Sequence, residues 1–294
     1  MKSKAAMMRE LLRQGTVVSP GCYDGLSARM IEKFGFKAAA TGGSGFSNSR
    51  LGQPDIGLLT MMENVDACRH IARSISIPLM ADAETGYGNP VTVYHTVQYF
   101  EEAGVVGINI EDQLSPKRCG HMQGKELISA AEMAKKVEAA VKAKKDPDFI
   151  INARTDAIAV EGFDRAVERA RLYLAAGADM VFPDAIESEE QIKRFVDAVR
   201  APVSINIGFG IRSRPTTPLI TETVPAMSTY VGNLWYGFFA PVKTPRDLIE
   251  RNYTEIRQCL MADEDVRAQF RKAGYESTQL IANRPEEFKA GIVE

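Results

Sequence analysis

Val105-Val106-Gly107-Ile108-Asn109-Ile110-Glu111-Asp112-Gln113-Leu114-Ser115-Pro116-Lys117-Arg118-Cys119-Gly120-His121 joins an apolar run to a cluster of reactive and charged side chains. Val105 to Ile110 is an apolar run that reads as a buried strand. Glu111 and Asp112 close it, a proline-containing loop follows, and Lys, Arg, Cys and His then fall within five positions. A thiol flanked by two cations and an imidazole is expected to ionise more readily than a free cysteine. Such a thiol can move a proton near neutral pH. A lone cysteine is usually a small core residue, but one between Arg118 and Gly120 in a polar loop is poorly placed for that.

The same strand-then-acid pattern recurs along the chain. Short runs rich in Val, Ile and Ala predict strands at Thr16–Ser19, Ala38–Thr41, Pro78–Ala81, Val105–Ile110, Phe149–Ala153, Met180–Phe182, Pro202–Ile205 and Met227–Val231. Amphipathic segments between them predict helices at Gly25–Phe34, Glu63–Ser74, Val91–Ala103, Ala131–Lys142, Phe163–Ala176, Ser188–Val199 and Arg246–Leu260. Ala103-Gly104 and Ala176-Gly177 read as helix ends, because glycine tolerates the left-handed cap. Continuous apolar strands alternating with helices predict an α/β fold, a (β/α)8 barrel over residues 1–260. A doubly wound open sheet is the alternative, and the missing glycine-rich fingerprint after the first strand counts against it. The charged, helical tail, residues 261–294, is too poor in apolar residues to fold alone and is expected to pack on the barrel or a partner subunit.

Bulk composition narrows the function classes. A chain of 294 residues with 45% hydrophobic content supports one large core. A net charge of −2 with mixed signs gives no nucleic-acid or membrane surface. Cys22, Cys68, Cys119 and Cys259 lie far apart and form no CxxC pair, which argues against a thiolate zinc site and a disulfide framework. The opening segment lacks the apolar core of a signal peptide, and no run reaches ~18 apolar residues. A cytoplasmic protein is the expectation.

Polar residues at the strand ends point to one site. Thr41-Gly42-Gly43, Asp82-Ala83-Glu84, Glu111-Asp112, Arg154-Thr155-Asp156, Asp184 and Asn206 each follow a candidate strand. In an α/β barrel these positions converge at the mouth that holds the active site. Asp82, Glu84 and Glu111, with Asp55 in a nearby loop, form a carboxylate cluster that repels itself unless a cation sits among them. Oxygen ligands without histidine suit Mg²⁺, or Mn²⁺, better than zinc. Asp82 is the expected direct ligand and the others act mainly through water. The bland alternative is a set of ion pairs with Lys117, Arg118 and Arg154.

These motifs resemble the isocitrate lyase and phosphoenolpyruvate mutase superfamily, in its short lyase branch, which includes 2-methylisocitrate lyase and 2,3-dimethylmalate lyase. The resemblance is carried by Gly21-Cys22-Tyr23-Asp24-Gly25-Leu26-Ser27-Ala28, Leu51-Gly52-Gln53-Pro54-Asp55-Ile56-Gly57 and Asp82-Ala83-Glu84-Thr85-Gly86-Tyr87-Gly88. It continues through Ile110-Glu111-Asp112-Gln113, Lys117-Arg118-Cys119-Gly120-His121 and Ala153-Arg154-Thr155-Asp156-Ala157. It implies a modified barrel, a homotetramer with the last barrel helix exchanged between subunits, and Mg²⁺-dependent cleavage of a 2-hydroxydicarboxylate or tricarboxylate. A 2-oxo acid such as pyruvate and a carboxylate would be the products. It further implies that Cys119 protonates the departing carbanion, with Lys117, Arg118, His121 and Arg154 as its catalytic neighbours. Thr41, Gly42, Gly43, Asp82, Gly120, Asp184 and Asn206 would meet substrate, and Leu114 to Gly124 would form a gate.

Three departures from the family pattern mark this chain. Glu84 stands where Asp is usual, and Asp184 where Glu is usual; the two opposite length changes are expected to compensate across the mouth. After Asn206 the usual Glu is missing, and Arg212 and Arg214 appear instead. Those arginines could hold an extra carboxylate or a phosphonate. A phosphonate mutase or hydrolase is therefore the rival enzyme reading, and a barrel without catalysis is the rival outside enzymology.

Overall fold

The computed structural model describes residues 2–120 and 122–206. Six parallel strands form one sheet in sequence order: β1 (Gly21–Cys22), β2 (Ala39–Thr41), β3 (Leu79–Asp82), β4 (Gly107–Glu111), β5 (Ile150–Thr155) and β6 (Met180–Pro183). Sequential parallel order without a reversal is what strand–helix alternation around a barrel requires, and a doubly wound sheet would reverse it. Val203 adds a parallel bridge to Val181, so the predicted seventh strand is present as a single pairing. The predicted strand Met227–Val231, the helix Arg246–Leu260 and the tail from 261 onward lie outside the described residues.

The α-helices are α1 (Lys4–Gln14), α2 (Gly25–Lys33), α3 (Gly43–Phe46), α4 (Met61–Ser74), α5 (Pro90–Glu102), α6 (Ala130–Ala143), α7 (Ala157–Val160), α8 (Phe163–Ala175) and α9 (Glu189–Val199). The short α3 and α7 were not predicted, and six of the predicted helices are present among the described residues, as α2, α4, α5, α6, α8 and α9. Short polar residues start them. Asp24 and Thr60 make reciprocal capping boxes with Ser27 and Glu63, and Asn89, Ser129 and Ser188 cap their own helices. Gly104 (φ 89°) and Gly177 (φ 102°) take the left-handed conformation expected of them.

One strand assignment is corrected. Thr16–Ser19 is not a strand; pairing begins at Gly21, which aligns with Ala40. Val17 instead packs with Ala5 and Met8 of α1 and with Ala38, Met80, Val106, Ile150 and Met180. Apolar character at Val17 thus reflects packing beneath the strands, and strand pairing had no part in it. α1 closes this N-terminal end of the sheet. Arg9 fastens it, donating to the carbonyls of Asp148 and Phe149 and pairing with Asp179 at 2.8 Å. Arg9→Ala should lower stability by about 1–3 kcal/mol through those lost charged hydrogen bonds. Urea denaturation checks it, and an unchanged midpoint would show that α1 is held by its apolar face alone.

The main core lies between sheet and helices, with Phe46, Ile71, Leu79, Phe100, Ile108, Ile110, Met133, Ile151 and Tyr173 fully buried. Gly107 is required by a close approach: a Cβ there would lie 2.6 Å from the Ile150 carbonyl oxygen and 2.9 Å from the Met80 sulfur. With the N-terminal end filled, the polar residues are left at the C-terminal ends of the strands.

Candidate active site

The register puts Asp82 beside Asn109, Glu111 beside Arg154, and Thr155 beside Pro183. The ends of β3, β4, β5 and β6 therefore present their polar side chains side by side. The expected clustering of Asp82, Glu84, Glu111, Arg154 and Asp184 follows directly.

Asp82 is gripped from every side. Its Oδ2 accepts the Gly43 N–H at 2.9 Å and its Oδ1 accepts the Glu84 N–H at 2.9 Å. Its own N–H donates to Thr41 Oγ1 at 3.2 Å, and Asn64 Nδ2 donates to its carbonyl at 2.8 Å. Two expected substrate contacts are thereby committed elsewhere: the Gly43 N–H and the Thr41 hydroxyl serve Asp82. Asn64, buried on α4, was missed by sequence reasoning, because a helix asparagine carries no local sign of what it faces. Its amide also donates to the Tyr87 hydroxyl at 2.7 Å.

Lys117 reaches into the acidic half of the site. Its Nζ lies 2.6 Å from Asp55 Oδ1 and 2.7 Å from Glu84 Oε2, and all three groups are buried. Burial opposes the ammonium charge, but Glu111, Glu84, Asp55 and Asp82 together outweigh it and raise the Lys117 pKa. One lysine does not balance four carboxylates. Burial first, then the charges of Asp82 and Asp55, push the Glu84 carboxyl up to about 8 despite Lys117. Burial likewise drives Glu111 well above the ordinary range, although Arg154 and Lys117 pull the other way.

The other half is balanced. Arg154 donates to both oxygens of Asp156, at 2.8 and 3.0 Å, and lies 3.3 Å from Glu111 and 3.5 Å from Asp184. It also stacks over the Phe182 ring at 5.2 Å. Burial raises the Asp156 carboxyl, but the charges of Arg154 and Lys125 prevail and hold it well below the usual carboxylate range. Lys125 was not anticipated. Its Nζ sits 2.8 Å from Asp156 and 3.3 Å from Asp184.

The thiol turn joins the two halves. Cys119 is half-buried, and its N–H donates to the Asp55 carbonyl at 2.9 Å. The Gln113 side chain holds the Arg118 peptide on both sides, at 2.9 and 3.1 Å. Gly120 packs against Asp184 and Arg154. Arg118 itself is exposed, unlike Lys117 one residue earlier. Gly42 caps α3, and Asn206 is exposed at the end of the described chain. His121, Arg212 and Arg214 lie outside the described residues.

The acidic half suits a hard divalent cation. Asp55 Oδ1 and Glu84 Oε2 are buried and share the single Lys117 ammonium, and the candidate ligand atoms are all oxygen. Among the described residues no three acidic, His or Cys side chains converge as a complete ligand set. That is compatible with magnesium, which keeps several waters and takes one or two direct carboxylates.

Comparison with known proteins gives the chain a family. Residues 8–223 match the family model described as phosphoenolpyruvate phosphomutase. The chain belongs to this family. It is 46% identical over 217 residues to a 2,3-dimethylmalate lyase of Eubacterium barkeri, covering 74% of each chain. It is 45% identical over 217 residues to a 2-methylisocitrate lyase of Aeropyrum pernix, covering 73% of this chain and 68% of that one. The crystal structure of a 2,3-dimethylmalate lyase, a member of the phosphoenolpyruvate mutase/isocitrate lyase superfamily, matches with a TM-score of 0.72 at 34% identity, over 76% of each chain. A phosphonopyruvate hydrolase solved with oxalate and Mg²⁺ matches with a TM-score of 0.64 at 28% identity, over 99% of this chain and 95% of that one.

Proposed function

We propose that this family member is a Mg²⁺-dependent carbon–carbon lyase. It cleaves a 2-hydroxydicarboxylate or tricarboxylate, of the 2-methylisocitrate or 2-substituted malate type, to a 2-oxo acid such as pyruvate and a carboxylate. The observation that carries the reading is a half-buried thiol turn pinned between an under-neutralised carboxylate cluster and a buried arginine. The lyase names of the relatives support it.

Asp82 would hold the cation directly, with Asp55, Glu84 and Glu111 through water; Mn²⁺ would serve in its place. When bound, the cation supplies Lewis-acid stabilisation of developing negative charge. Arg154 binds a substrate carboxylate, with Asp156 and Asp184 fixing its orientation. The substrate hydroxyl gives its proton to a base, the C2–C3 bond breaks with its electron pair passing to C3, and the Cys119 thiol returns a proton to that carbon. His121 and Arg118 assist the thiol, and Lys117 holds Asp55 and Glu84 in place beside it. Gly42, Gly120 and Asn206 line the substrate, with Gly43 and Thr41 acting through Asp82.

The finer architecture belongs to the same reading. Residues 1–260 form an eight-stranded barrel and 261–294 a helical tail. The protein is a cytoplasmic homotetramer, a dimer of dimers, with the last barrel helix exchanged. The sequential parallel sheet and the family resemblance support this. No helix among the described residues is long and apolar enough to cross a membrane.

The test is incubation with Mg²⁺ and a panel of 2-methylisocitrate, isocitrate, 2,3-dimethylmalate and oxaloacetate, following 2-oxo acid release. Cleavage of one substrate, abolished by a chelator, establishes the lyase. Silence across the panel together with turnover of a phosphonate would overturn it in favour of phosphonate chemistry.

A pH experiment tests the cation site without turnover. Between the ordinary carboxylate range and about 8, folded Glu84 keeps a proton that the unfolded chain has released. Its contribution to stability therefore falls as pH rises through that window. A cation that displaces the proton offsets the fall. The Mg²⁺-induced rise in Tm should grow between about pH 6 and about pH 8 and be much reduced in Glu84→Gln. A pH-independent Mg²⁺ shift, equal in both proteins, would remove Glu84 from the site.

A further inference from the structure

Lys125 is a buried cation for which the mechanism above has no use. Its side chain is 2% exposed, and its ammonium makes three contacts. Two are with Asp156 and Asp184, beyond the ends of β5 and β6. The third and shortest, 2.7 Å, is to the carbonyl oxygen of Gly120, the residue after Cys119.

The three acceptors satisfy the three N–H donors of the ammonium, and the third of them is the backbone of the thiol turn. Lys144 makes the same kind of pairing away from the thiol: it pairs with Asp179 at 3.2 Å and donates to the Phe149 carbonyl, at the opposite end of the strands. At Gly120 the backbone itself is pressed onto the site. A Cβ there would come within 2.5 Å of Asp184 Oδ2 and 2.6 Å of Arg154 NH2. On its other side the turn is tied by the Cys119 N–H to the Asp55 carbonyl. One tie leads to the acidic half and the other to the arginine half.

We propose that Lys125 is a positioning residue that sets where the Cys119 thiol stands relative to Arg154, by clamping the Gly120 carbonyl to Asp156 and Asp184. This rests on the lyase reading for its effect on turnover, but its effect on the thiol can be read without turnover. A protonating group must lie within hydrogen-bonding reach of its target carbon, and small displacements are costly.

The experiment uses full-length Lys125→Met, with Lys144→Met as the control for loss of an ion-paired lysine. Lys125→Met should lower kcat by about 100-fold with a far smaller change in KM. Iodoacetamide should alkylate Cys119 faster than in the parent protein, as read by mass spectrometry of its peptide. Lys144→Met should leave kcat and the alkylation rate unchanged, whatever its Tm. If Lys125→Met does not fold, Lys125→Gln, which keeps an N–H donor without the charge, takes the same two readouts. A folded Lys125 variant with parental kcat and parental Cys119 alkylation overturns the proposal. A parent protein that cleaves nothing, beside a clear alkylation difference, overturns the lyase reading and leaves the positioning role standing.

Discussion

Cys119→Ser should lower kcat by about 10²–10⁴-fold, the range spanned by loss of one general acid or base. Serine keeps the size of the side chain and the Cys119 N–H contact to Asp55, which is a backbone contact. The change is therefore confined to the group that carries the proton. A hydroxyl ionises far less readily than a thiol, so it cannot exchange that proton at neutral pH. Substrate binding and the Mg²⁺-induced rise in Tm should be retained, since the carboxylates and Arg154 are untouched. Steady-state kinetics and a thermal shift with Mg²⁺ measure the two. A variant within ten-fold of the parent kcat would mean that another group protonates the carbanion.

Arg154→Met should cost about 3–5 kcal/mol of stability, because one buried cation serves three carboxylates. Arg154 contacts Asp156, Glu111 and Asp184, and each is buried. Methionine fills much of the volume but leaves those charges facing one another with only Lys125 nearby on the Asp156–Asp184 side. The acid side of the stability curve should change too. Arg154 and Lys125 hold folded Asp156 below its ordinary range. That contribution is present above the unfolded carboxylate pKa and is lost as pH falls through it towards the folded value. Without Arg154 the folded carboxyl rises, so the loss of stability on acidification should become shallower. Urea titrations at about pH 7 and about pH 4 test both statements. A cost under about 1 kcal/mol would show that Arg154 is dispensable to the fold and kept for the substrate alone. Activity should disappear in either case, since Arg154 is the cation proposed to bind the substrate carboxylate.

Much of this was legible in the chain itself. Strand-to-polar junctions at Asp82, Glu111, Arg154 and Asp184 located the polar end of the sheet, because an apolar strand ends where its side chains meet water or a ligand. Helix ends at Gly104 and Gly177 were legible because only the left-handed cap explains glycine there. Thr16–Ser19 was misread because an apolar residue packed beneath the ends of a sheet and one within a strand look alike over four residues.

Lys117 and Arg118 are adjacent cations of equal promise in the sequence. Only the fold buries the first between Asp55 and Glu84 and leaves the second exposed. Thr41 and Gly43 looked like substrate contacts, and only the approach of β3 to β2 commits them to Asp82. Asn64 and Lys125 had no sequence signal, because the carboxylate-bearing strand ends they reach, at Asp82 and at Asp156 and Asp184, lie far from them along the chain. Local physics, namely hydrophobic burial, strand period and capping, is written in neighbouring residues and so determined the fold class and the position of the site. Which buried charge faces which partner is a long-range electrostatic matter, settled only when the strand ends and the thiol turn are brought within a few ångströms of one another.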